Sequence, residues 1–139
     1  MFRLIKIENG HTSVPEILKL PKSTECKIGM GIPLIMYDGT IRPAGQTDIF
    51  TYVSVAEAKL EDEFVYCHKV YPNMLFEADC EVTDFYSIGQ LVSYICNDEG
   101  DVVLGISSGS GDCVEVVDIS DVKRRAKITV RFLDRKSEY

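Results

Sequence analysis

The chain has 139 residues, 45% hydrophobic and 27% charged, which suffices for one domain with its own core and without disulfides or a structural metal. Fifteen Lys and Arg stand against 22 Asp and Glu, a net charge of -7 that repels phosphate backbones and argues against nucleic acid as a partner. No apolar run approaches the roughly 18 residues of a membrane-spanning helix. The opening Met1-Phe2-Arg3-Leu4-Ile5-Lys6-Ile7-Glu8 alternates charged and apolar residues where a signal peptide would be solidly apolar, so neither secretion nor a membrane is expected.

In chain order the dominant periodicity is two, which sends successive side chains to opposite faces of a sheet. Strands are predicted over Phe2 to Ile7, Val14 to Leu20, Glu25 to Ile28, Pro33 to Tyr37, Phe50 to Val53 and Phe64 to Val70. They continue over Leu75 to Val82, Leu91 to Cys96, Val102 to Ile106, Cys113 to Ile119 and Lys127 to Phe132. Turn signals separate them at Glu8-Asn9-Gly10, Asp38-Gly39-Thr40, Tyr71-Pro72-Asn73, Asn97 to Asp101 and Gly109-Ser110-Gly111. Asp38-Gly39 and Gly100-Asp101 are the sharpest, because glycine takes the positive φ of tight hairpins. A short helix is predicted from Ser54 to Glu61, where Ser54 and Glu57 have capping-box spacing, and a further helical turn over Asp84 to Ile88, stopped by Gly89. The doubled Val116-Val117 breaks alternation, as a bulge or a strand covered on both faces would. The expected fold is mainly β: a single domain over residues 1–139, a small antiparallel barrel or sandwich with one or two short helices.

Candidate chemistry is sparse. The five cysteines, Cys26, Cys67, Cys80, Cys96 and Cys113, include no CxxC pair and read as small buried hydrophobes in a reducing compartment. A zinc site would need His11 or His68 to join distant cysteines, and no metal ligand set is assigned. Gly105-Ile106-Ser107-Ser108-Gly109 fits GxSxG, but both histidines precede Ser107, the wrong order for that hydrolase class. The order His68, Asp79 or Asp84, Ser107 would suit a serine protease, for which the chain is short. Gly111 is followed by Asp112, not by the Lys of a phosphate loop, and Asn97 to Asp101 lacks calcium-loop spacing. His68 falls beside Phe64, Tyr66 and Val70 on one strand face and reads as a histidine at the edge of the core. Glu77, Asp79 and Glu81 share a wet face, and Lys123, Arg124, Arg125, Lys127 and Arg131 read as a solvated basic stretch. No catalytic residue and no cofactor is assigned. Aromatics at strand ends and beside turns, among them Phe50, Tyr52, Tyr71, Phe85 and Tyr86, are candidate anchors for a protein interface, the competing reading being that most of them are core.

Four stretches carry a resemblance. They are Phe2-Arg3-Leu4-Ile5-Lys6-Ile7-Glu8-Asn9-Gly10 with the Pro-containing segment to Pro21, Lys27 to Thr40 with Pro43-Ala44-Gly45, Thr51-Tyr52-Val53-Ser54, and Val114 to Asp118 through Ile128-Thr129-Val130-Arg131-Phe132. Together the chain resembles the small head proteins of tailed phages and prophages of Gram-positive bacteria, and through them the capsid decoration, or head-stabilising, proteins. The resemblance implies a non-enzymatic structural protein in the virion head or the bacterial cytoplasm. It implies the major capsid protein as partner, a homo-oligomer, often a trimer, and a candidate N-terminal arm over residues 1–24. The expected interface residues are Phe2, Leu4, Ile5, Ile7, Phe50 and Tyr52. The competing reading is a small-ligand-binding or regulatory β-barrel domain of a Gram-positive bacterium.

Overall fold

The computed structural model describes residues 1–7, 16–44, 51–71, 73–80, 86–96, 102–104, 114–122 and 125–132. The strands are β1 (Phe2–Ile7), β2 (Leu18–Pro21), β3 (Pro33–Tyr37), β4 (Thr40–Pro43), β5 (Tyr52–Ser54) and β6 (Phe64–Lys69). They continue as β7 (Met74–Cys80), β8 (Leu91–Val92), β9 (Tyr94–Cys96), β10 (Val102–Leu104), β11 (Val114–Val122) and β12 (Arg125–Phe132). They form two five-stranded antiparallel sheets, ordered β1-β7-β12-β11-β8 and β2-β6-β5-β3-β4, with a β9-β10 ribbon, so the chain is mainly β and sandwich-like.

Alternation explains the first sheet. Pairing sets Leu4 beside Phe76, Phe76 beside Val130 and Val130 beside Val116, an apolar row running across four strands. Phe2, Ala78 and Ile128 form the next row. The opposite face carries the Arg3–Glu77 ion pair at 3.0 Å beside Leu75. Phe2 sits edge-on to Phe132, with ring centroids 4.9 Å apart, and Phe76 lies 5.0 Å from Phe132, in the range where aromatic pairs add to plain burial. Register slips between Val116 and Asp118, so the doubled valines form a bulge.

The second sheet curls until its two edges meet. Lys22, directly after β2, forms a parallel bridge with Ile41 of β4, and the Ser23 amide donates to the Ile41 carbonyl at 3.3 Å. Val65, Cys67, Leu34, Ile41 and Val53 join the residues of the first sheet in one buried cluster. The β3-β4 hairpin has a two-residue loop in which Asp38 (φ 50) and Gly39 (φ 84) both take positive φ, as the Asp-Gly signal requires.

Three local expectations fail. No helix occurs among the described residues: Ser54 ends β5, and Ala58 exchanges backbone hydrogen bonds with Ile28 at 2.8 and 2.9 Å. The Ser54 hydroxyl does not cap a helix; it accepts from the Ile32 amide at 2.9 Å and donates to the Gly29 carbonyl at 2.7 Å. Burying Ala58 against Ile28 outweighs two turns of local helix preference. The Glu25 to Ile28 strand is reduced to that single bridge. The stretch from Leu91 to Cys96 divides at Ser93 into β8 and β9, which pair in different sheets. Conversely, Thr40–Pro43 forms a strand where only a turn and its return were read. Of the further turn expected over Asp84 to Ile88, residues 84 and 85 lie outside the described residues, and a turn with positive φ at Gly89 follows.

Candidate interaction surface

The residues predicted for an interface are placed differently from one another. Phe2 is only 3% exposed, at the centre of the aromatic cluster, and Leu4, Ile7 and Tyr52 pack against the core. Ile5 is exposed at the bulge of β1, and Phe50 lies outside the described residues. The first strand is therefore part of this molecule's own sheet. Its outer edge is also guarded: the Phe2 amide donates to the Gly31 carbonyl at 2.9 Å, the terminal ammonium donates to the Val102 carbonyl at 2.9 Å, and a register shift follows Leu4. Bulges and occupied edge amides discourage addition of a foreign strand. Residues 8–15 of the expected arm lie outside the described residues, and 18–21 form β2.

A different surface exposes large apolar side chains together. Along β6, Val65 and Cys67 point inward, which turns Phe64, Tyr66 and His68 outward. Pairing with β2 adds Lys19 opposite Tyr66 and Pro21 opposite Phe64, with Ile17 just beyond. Ile17 is 57% exposed, Phe64 45% and Tyr66 47%. Across the seam, the Lys22–Ile41 bridge sets Pro21 beside Thr40, and Thr40 pairs with Tyr37, 59% exposed. Tyr37, Thr40, Pro21 and Phe64 thus make one outward row on adjoining strands. Each end carries a cation on its ring: Arg42 lies 4.5 Å from the Tyr37 centroid and the Lys19 ammonium 4.6 Å from that of Phe64. Rings backed by a curled sheet have few rotamers left to lose on binding, the economy that makes aromatics good anchors.

His68, on the same face, has its Nδ1 3.1 Å from the Glu16 carbonyl, which only accepts, so Nδ1 carries the proton. Ser107 with its GxSxG stretch, His11, Asp84 and Cys113 lie outside the described residues. Cys67 is buried, and loss of solvation pushes its thiol up to about 11. Cys26 is half-buried, its thiol 3.7 Å from the Ser23 carbonyl. Among the described residues no three His, Cys, Asp or Glu side chains are grouped to hold a metal. Of the other aromatic anchor candidates, Tyr71 is exposed, Tyr86 packs on the core and donates to the Leu104 carbonyl at 3.2 Å, and Phe85 lies outside the described residues.

The alternation of β6 already put Phe64, Tyr66 and His68 on one face. What it lacked was the sign of that face, because Val65 and Cys67 opposite are apolar too. No protein-family model, curated protein or solved structure matches the chain.

Proposed function

We propose that the chain is a non-enzymatic structural protein of a tailed-phage or prophage head that binds the capsid shell and stabilises it, docking through the outward face of β2 and β6. The resemblance to capsid decoration proteins supplies the partner, the major capsid protein. The observation that supports the mode of action is the exposed group of Ile17, Phe64 and Tyr66 on the outward face of the curled sheet. A protein that binds only the assembled shell raises the stability of that shell by linkage, and many identical contacts of modest strength add up over a particle.

The test is to titrate purified protein against the cognate expanded capsid. Stoichiometric, saturable binding and a higher capsid melting temperature are expected. No binding at micromolar protein, with the capsid melt unmoved, overturns the reading.

A further inference from the structure

Lys22 is the one charged side chain buried among the described residues, at 3% exposure. An ammonium has three N–H donors and no acceptor, so its burial demands three oxygens around one point. The chain supplies them from its backbone: the carbonyls of Ser23 at 2.7 Å, Cys26 at 2.6 Å and Leu60 at 3.2 Å. Donors and acceptors match one to one. The backbone of the same residue donates to the Glu63 carbonyl at 2.8 Å and bridges Ile41 of β4. One residue therefore ties the turn after β2 to the loop before β6 through its side chain and joins the seam where the two sheet edges meet through its backbone.

Converging backbone carbonyl oxygens are also what replaces the hydration shell of potassium. We infer that Lys22 is a built-in cation: its ammonium fills an oxygen site at the seam of the curled sheet, and a free cation of similar size, potassium or ammonium, enters that site when the charged end is removed. Without a cation, three partly buried carbonyls lose their partner and the turn after β2 loosens from the loop before β6. Methionine is the informative replacement, because it keeps the aliphatic stem and leaves the position of Nζ open.

Thermal melts of wild type and Lys22→Met are compared in potassium, ammonium, lithium and choline chloride at equal ionic strength. The variant is expected to melt several degrees below wild type in choline and lithium and to recover at least half of the deficit in potassium or ammonium, while wild type is indifferent to the exchange. A variant as stable as wild type, or a deficit equal in all four salts, overturns the inference. If Lys22→Met does not fold in choline chloride, its refolding yield in potassium reads the same effect, and no gain there overturns it as well.

Discussion

Burial holds the Cys67 thiol neutral up to about 11, against 9.0 for a solvated thiol: Cys67 is the small buried hydrophobe that its place in an alternating strand predicts. Because the folded chain keeps that proton to higher pH than the unfolded chain does, the contribution is complete below about pH 9 and lost as pH rises toward 11. Urea melts over that interval should show wild type losing stability more steeply than Cys67→Ala; parallel slopes would assign the loss to other groups. Ser54 makes the converse case. Its spacing from Glu57 is that of a helix cap, yet its hydroxyl serves Ile32 and Gly29 from other segments. Lys22 gave no signal at all: a lysine directly after Pro21 has nothing to mark it as buried, since the carbonyls that hold it come from as far as Leu60.

At the level of elements, strands were legible wherever alternation was clean. Phe2–Ile7 and Pro33–Tyr37 form with the limits their patterns predict, and Phe64–Lys69 ends one residue short of its prediction. Where an apolar residue found a partner outside any strand, as Ile28 and Ala58 did, local pattern misled. Two glycines separate conformational need from close approach. Gly39 has φ +84 with open space where a Cβ would sit, so Gly39→Ala should cost only the left-handed backbone, about 1 kcal/mol. Gly31 has φ +69, and a Cβ there collides with the backbone of Phe2 and the side chain of Met1. Gly31→Ala must also displace β1 from the turn that holds its amide, for a total of roughly 3 kcal/mol. Equal losses in chemical denaturation would mean that β1 is not anchored at Gly31.

For the molecule as a whole, the division between core and contact surface is the functional question. Phe2 and Tyr66 are both aromatic and both lie on edge-proximal strands, but one fills the space between sheets and the other faces out. Phe2→Ala should therefore lower stability by roughly 3–5 kcal/mol. Tyr66→Ser and Phe64→Ser should leave stability within about 0.5 kcal/mol and weaken capsid binding by about tenfold or more. Full capsid affinity in the double variant Phe64→Ser/Tyr66→Ser would remove this face from the docking proposal.

Read alone, the amino-acid order indicated a mainly β chain, placed most of its strands, and marked the Asp38-Gly39 hairpin and the break in alternation at Val116-Val117. These are consequences of period-two alternation and of backbone angles, which act over a few residues. Only the tertiary structure decided which of two apolar faces of β6 is turned to water, that the first strand belongs to the core, and that the edges of one sheet meet around a buried ammonium. Those outcomes depend on which strands become neighbours, and contacts between residues forty or seventy positions apart leave no periodic trace in the order of the chain.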